Sequence, residues 1–246
     1  MKLEKVKITS VAHGGRIIEG TLILPENLKP KNPAILFIHG WRSSEEGYIP
    51  RAKAMAEFGF ICLTFNLSGH GASEGDIRKL TRKDYLNDIL TAYDYLKNLE
   101  NVDEDKIGVV GGSFGGYLAS ILTRKCSIKW LVLRAPANYI NKGFEDLPQV
   151  QYPEKRFINV WKQTEHNYHE TVSLESLHEY PHKVLIVESE KDEMVPHQTI
   201  MSYVNAVKDK SKLKHIVMEG ADHAIHSEKY QQEFINILKE WFGNKL

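Results

Sequence analysis

A chain of 246 residues with 42% hydrophobic and 26% charged residues has the balance of an ordinary globular protein, and its length suits one α/β domain. Lysine plus arginine and aspartate plus glutamate both number 32, so the formal charge of zero gives no electrostatic reason to expect a nucleic acid or an anionic membrane as partner. No stretch approaches the roughly 20 apolar residues of a membrane span, and Met1-Lys2-Leu3-Glu4-Lys5 alternates charges where a signal peptide needs an apolar core. Two scattered cysteines, Cys62 and Cys126, suit reduced thiols, so a cytoplasmic protein is expected.

The first elements expected are two strands, Val6–Ala12 and Arg16–Leu24, joined by the turn His13-Gly14-Gly15. After a polar, proline-rich loop at 25–33, Ala34–Ile38 is a continuous apolar run. That is the pattern of a strand buried on both faces of a parallel sheet. Similar runs follow at Phe60–Phe65, Ile107–Val110, Trp130–Leu133, Val184–Val187 and His215–Met218. Between them apolar residues recur at helical spacing: Tyr85, Ile89, Ala92, Tyr93 and Leu96, then Tyr117, Ile121 and Leu122, and finally Phe234, Ile237, Leu238 and Trp241. The alternation implies right-handed βαβ units, hence a mainly parallel sheet of about eight strands with helices on both faces and an antiparallel edge at the first two strands. One interval lacks a strand-like run. A small cap, inserted at about 136–181 within the single domain 1–246, is expected there, with a pair of ordinary surface helices as the alternative. Its aromatic residues, Tyr139, Phe144, Tyr152, Phe157, Trp161 and Tyr168, would line an apolar acyl or aryl pocket if they lie over the sheet edge.

Chemistry concentrates where the run Ile107–Val110 ends in Gly111-Gly112-Ser113-Phe114-Gly115-Gly116. Strand, Gly-x-Ser-x-Gly and helix in that order hold a serine on a sharp turn above the sheet, and the flanking glycines let strand and helix approach. A Rossmann turn would need glycine at the third position of its motif. A P-loop would need Lys-Ser/Thr after its last glycine, where Tyr117 and Leu118 stand. Neither nucleotide motif is present. A nucleophilic serine needs a base, and the base a carboxylate. Val184–Val187 leads into Glu188, Glu190, Asp192 and Glu193, a carboxylate-bearing loop at a strand's carboxyl end, where α/β sheets place their sites. His215–Met218 leads to His223 in the matching loop one strand on, giving the order serine, acid, histidine.

His39-Gly40-Trp41, Gly69-His70-Gly71-Ala72-Ser73-Glu74-Gly75, Gly111–Gly116, Asp192-Glu193-Met194-Val195-Pro196 and Gly220-Ala221-Asp222-His223 together resemble the α/β-hydrolases, from about Arg16 to Trp241. The similarity is to small carboxylesterases, cinnamoyl or feruloyl esterases, dienelactone hydrolases and prolyl-oligopeptidase-like catalytic domains. The resemblance implies Ser113 as nucleophile, His223 as base, and Asp192 rather than Glu190 or Glu193 as the orienting acid. It also implies an oxyanion hole made by the backbone N–H groups of Trp41 and Phe114, with His39 supporting that loop. The activity it implies is hydrolysis of a carboxylic ester with a short- to medium-chain or aromatic acyl group, through an acyl-enzyme and without a cofactor. A thioesterase, a small peptidase and a non-catalytic receptor on the same scaffold are its rivals. Relatives often carry Asp and Arg where this chain has Asn66 and Ser68, which bears on loop geometry. His223 with His226, and His166 with His169, are three residues apart but lack further ligands at characteristic spacing, so no metal is expected.

Overall fold

The computed structural model describes residues 1–10, 15–147 and 160–243. Its framework is one sheet of eight strands: β1 (Lys2–Thr9), β2 (Ile17–Leu24), β3 (Asn32–Ile38), β4 (Ile61–Phe65), β5 (Val102–Gly112), β6 (Trp130–Arg134), β7 (Lys183–Lys191) and β8 (Leu213–Asp222). The spatial order is β1-β2-β4-β3-β5-β6-β7-β8. β1 with β2 and β2 with β4 are antiparallel; every pair from β4 with β3 to β7 with β8 is parallel. The expected sheet of about eight strands with an antiparallel edge is therefore present. The first strand is shifted, running Lys2–Thr9 instead of Val6–Ala12, while Val11, Ala12 and the turn residues His13 and Gly14 lie outside the described residues. Apolar content misplaces it because β1 is an edge strand. Its charged residues pair through the backbone all the way to Lys2 opposite Leu24, and lysines along an edge also discourage pairing with another chain.

Strand pleating sorts the core into two layers. On β3, Ile35 and Phe37 face one side, together with Ala52 and Met55 of α1 (Ile49–Ala56) and Phe234, Leu238 and Phe242 of α6 (Glu228–Gly243). Ala34, Leu36 and Ile38 face the other. There they meet α2 (Arg82–Lys97), α3 (Phe114–Leu122), α4 (Val172–Glu179) and α5 (His197–Ala206), through residues such as Ile89, Leu118, Leu174 and Tyr203. Each such fully buried aliphatic side chain contributes roughly 1.5–3 kcal/mol, so the two layers fix the sheet firmly and leave its carboxyl edge free for loops. α2 starts at a capping box in which Thr81 Oγ1 accepts from the Asp84 N–H and an Asp84 carboxylate oxygen accepts from the Thr81 N–H.

Of the interval expected to form a cap, Tyr152 and Phe157 fall outside the described residues. At its far end α4 is a sheet-covering helix, with Leu174 and Leu177 in the core. Nearer the start, Arg82 donates to the backbone oxygens of Ile140 and Lys142 at 2.8 Å and to the Tyr117 hydroxyl at 3.1 Å, tying the stretch after β6 down onto α3. Among the described residues, no helix is long and apolar enough to cross a membrane.

Candidate active site

β5 delivers Ser113 to the carboxyl edge in a backbone conformation that an L-residue adopts only under constraint, φ 52° and ψ −118°. Two contacts impose it. A Cβ on Gly111 would lie 2.5 Å from the Gly115 oxygen, and one on Gly115 would lie 2.5 Å from the Ile38 oxygen. Only glycine permits β5, α3 and the end of β3 to come this close. The Ser113 N–H then donates to the Arg134 oxygen at 2.9 Å, and the Ser113 oxygen accepts from Ala137 at 3.1 Å, so the strained turn is held from both sides. Among the described residues three further non-glycine residues have positive φ, Arg42, Ala135 and Ile225, each in a loop following a strand at this edge.

Ser113, His223 and Asp192, expected from three different strand ends, are brought together. The Ser113 hydroxyl lies 3.1 Å from His223 Nε2, and His223 Nδ1 lies 2.7 Å from Asp192 Oδ2. A carboxylate only accepts, so Nδ1 carries the proton and Nε2 is left to accept from the serine. Asp192 is buried, and its other oxygen accepts the N–H groups of Met194 and Val195 at 2.9 and 2.8 Å. The rival carboxylates are engaged elsewhere. Glu190 accepts the Gly220 N–H at 2.6 Å, Glu188 binds His197 and His215, and Asp222 pairs with His226. Among the described residues, no group of three or more His, Cys, Asp or Glu side chains is arranged to hold a metal ion.

The rings of Trp41 and Phe114, the latter directly after the serine, pack edge-to-face with centroids 5.5 Å apart. The Phe114 N–H is the first of α3 and has no carbonyl to bond within its own helix. A Cβ on Gly40 would lie 3.2 Å from Ser113 Cβ, so glycine at 40 lets the loop bearing Trp41 close on the serine. Two neutral imidazoles staple that loop to the one after β4. His39 donates from Nδ1 to the Gly40 oxygen at 2.7 Å and accepts the Leu67 N–H on Nε2 at 3.0 Å. His70 accepts the Arg42 N–H on Nε2 at 3.2 Å. Burial pushes the His39 pKa down to about 4 and lowers that of His70, so both remain uncharged at neutral pH. Asn66 accepts the Glu45 N–H at 2.9 Å and helps anchor the same region.

Beside the serine opens a cleft of about 480 Å³, whose wall includes Trp41, Tyr48, Arg51, Arg134 and His223. Sequence reasoning did not reach Tyr48, Arg51 or Arg134. Arg134 stands immediately after the run Trp130–Leu133, where a charged residue in the position of a buried strand residue is the available signal. Tyr48 and Arg51 carry no motif and arrive through α1, an eight-residue helix that the sequence reading did not place. The arrangement offers a hydroxyl hydrogen-bonded to an oriented imidazole at the N-terminus of a helix, a set suited to attack on a carbonyl carbon.

The fold and the serine turn define an α/β-hydrolase. Est1E from Butyrivibrio proteoclasticus, solved with ferulic acid bound, superimposes with a TM-score of 0.75 over 98% of both chains at 22% identity, a likeness of fold. Residues 48–246 match the prolyl oligopeptidase family, and the chain belongs to that family. It is thus a hydrolase of the α/β serine-hydrolase type. In sequence it is 30% identical over 143 residues to the mitochondrial palmitoyl-protein thioesterase ABHD10 of Pongo abelii, a match covering 55% of this chain and 44% of that protein. It is 24% identical over 261 positions to the uncharacterized peptidase YuxL of Bacillus subtilis, covering 98% of this chain and 39% of that one. The chain therefore spans less than half the length of these relatives.

Proposed function

We propose that the protein is a serine carboxylesterase in which Ser113 is the nucleophile, His223 the general base and Asp192 the acid that orients it. The observation that carries this reading is the hydrogen-bonded chain from the Ser113 hydroxyl through His223 to buried Asp192. His223 Nε2 takes the hydroxyl proton as Ser113 Oγ attacks the ester carbonyl. Asp192 stabilises the resulting imidazolium, and the N–H groups of Trp41 and Phe114 receive the oxyanion. Collapse breaks the bond to the leaving alkoxide, which takes the proton from His223 and departs as alcohol. A water molecule then gives its proton to His223, attacks the acyl-enzyme, and releases the acid while the proton returns to Ser113. No step requires a metal or a cofactor. The two free thiols suit a reducing compartment such as the cytoplasm.

The test is steady-state hydrolysis of p-nitrophenyl acetate, butyrate and octanoate by wild type and Ser113→Ala. Turnover that falls by about 10³-fold or more in the variant is expected, and chain-length preference would size the acyl site. Equal rates in both proteins would remove Ser113 from the reaction. The thioesterase relative and the family's name favour, as a second reading, a thioester or amide substrate for the same residues. A palmitoyl thioester and an aminoacyl p-nitroanilide in the same assay decide between them.

A further inference from the structure

Two arginines on the wall of the cleft beside Ser113 are almost fully buried, Arg51 at 8% and Arg134 at 7% exposure, yet neither has a carboxylate partner among the described residues. Arg51 donates to the Gly47 oxygen and is flanked by two rings, its guanidinium 5.2 Å from the centre of Tyr48 and 5.4 Å from that of Phe234. Arg134 uses Nη2 for the Ser189 hydroxyl at 2.8 Å and the Asp222 backbone oxygen at 3.1 Å. The Nε atoms of both are buried without a partner. Between them stands Tyr48, whose hydroxyl lies directly against Gly112, the neighbour of the nucleophile. Burial pushes the Tyr48 pKa up while Arg51 and Arg134 both pull it down, so the phenol sits in the field of both cations.

Burying a cation without a counter-charge is unfavourable, and natural proteins pair such groups or use them. Arginine cannot escape by losing its proton, although burial lowers the pKa of both side chains. Asp192 and Asp222 attract Arg134 while also holding His223 and His226, whereas Arg51 has only the Tyr48 phenol acting on it in this way. Glu46 also borders the cleft but is exposed to solvent. Along the wall, then, fixed positive charge and a hydroxyl donor converge next to the reacting serine, and Arg51 has no carboxylate counter-ion among the described residues.

We infer that Arg51, Arg134 and Tyr48 form a subsite for a carboxylate carried by the substrate, so that the preferred ester is that of an anionic molecule such as a dicarboxylic acid. A planar carboxylate suits the forked donors of a guanidinium, and Tyr48 adds a neutral hydrogen bond from the side facing the serine. This deepens the esterase reading and rests on it for the reaction, while the binding of the anion does not depend on turnover.

Binding and turnover are therefore measured separately. Calorimetry follows glutarate binding to the Ser113→Ala protein and to the same protein also carrying Arg51→Met. Turnover compares mono-p-nitrophenyl glutarate with p-nitrophenyl pentanoate in wild type, in Arg51→Met and in Arg134→Lys, with spontaneous hydrolysis subtracted. Saturable glutarate binding that weakens at least about tenfold in Arg51→Met is expected. So is a kcat/KM ratio favouring the anionic ester that shrinks by a similar factor in both arginine variants. Arg134→Lys keeps the charge and loses the fork, which guards against an Arg134 truncation that merely unfolds the β7 and β8 loops. Absence of saturable binding in Ser113→Ala, or binding unchanged by Arg51→Met, overturns the subsite. Arg51-dependent binding without turnover of either ester leaves the subsite standing and removes the esterase reading instead.

Discussion

Replacing Gly115 by alanine should separate the Trp41 and Phe114 N–H groups proposed as donors to the oxyanion. The added Cβ would lie 2.5 Å from the Ile38 oxygen and 2.6 Å from the His39 oxygen, both backbone atoms that cannot rotate away. A carbon and a carbonyl oxygen in contact ordinarily rest at about 3.3 Å or more, so β3 and α3 must part by about 0.8 Å. That movement falls between the residue preceding Gly115, which presents the Phe114 N–H, and the loop that leads from His39 to Trp41. Donors to an oxyanion act at about 2.7–3.1 Å, so a gap of this size removes at least one of them, which costs about 10²–10³ in kcat. Overpacking of the same contact lowers stability by about 1–3 kcal/mol. The assay is Ser113-dependent hydrolysis of a p-nitrophenyl ester alongside thermal unfolding. Gly243→Ala serves as control, since its Cβ would meet only Phe58 at an ordinary 3.7 Å. A Gly115→Ala protein with wild-type kcat and unchanged melting would refute the argument that this close approach sets the position of the donors.

Asp192→Asn should fold normally, because an amide oxygen can still accept from Met194 and Val195, yet kcat should fall by about 10⁴ as the amide N–H group turned toward His223 favours the wrong tautomer. A stopped-flow burst of wild-type size would contradict it. Two buried groups give stability opposite pH slopes in one window. His39 has its pKa lowered from 6.5 to about 4, so the unfolded chain binds the proton first and stability drains away as pH falls from 6.5 toward 4. Burial raises the Asp88 pKa from 3.8 to about 6, so the folded chain keeps its proton longer and stability declines as pH rises from 3.8 toward 6. Each amounts to up to about 3 kcal/mol, and in the wild type they largely offset. Urea unfolding at pH 4.5 and 7.5 should therefore show Asp88→Asn gaining stability over wild type mainly at the higher pH. The same pair of measurements should show His39→Gln losing least, relative to wild type, at the lower pH; parallel curves for all three proteins would refute both assignments.

The sheet was readable because β3 to β7 are buried on both faces, and such strands announce themselves as unbroken apolar runs such as Ala34–Ile38 and Val184–Val187. β1 carries its structure in backbone pairing at an edge, where side chains such as Lys5 and Lys7 face outward, and apolar content alone misplaces it. The serine turn was legible for a related reason: its glycines are demanded by backbone contacts within a dozen residues or across one strand. Choosing among Glu190, Asp192 and Glu193 was different, because nothing local separates three carboxylates in one loop. Hydrogen bonds to Gly220 and His223, contributed by the neighbouring strand end, distinguish Glu190 from Asp192. The walls of the cleft lay furthest from sequence reasoning. Tyr48 and Arg51 at the start of α1 and Arg134 at the end of β6 belong to two stretches brought together only by the crossing of α1 over the sheet, and no spacing rule connects the one with the other.

The four non-glycine residues with positive φ among the described residues bear on how the protein would respond to engineering. Arg42, Ser113 and Ile225 border the cleft and Ala135 adjoins Arg134, so the unfavourable backbone energy gathers around the reacting group while the rest of the described fold is relaxed. Arg42→Gly would relieve an exposed residue held at φ 56° without emptying the core, and screening for heat resistance should recover such changes readily. The same relief would loosen the loop that carries Trp41. Thermostable variants selected without an activity screen are thus expected to accumulate at this rim, whereas variants selected for both properties should gather in the helices behind the sheet.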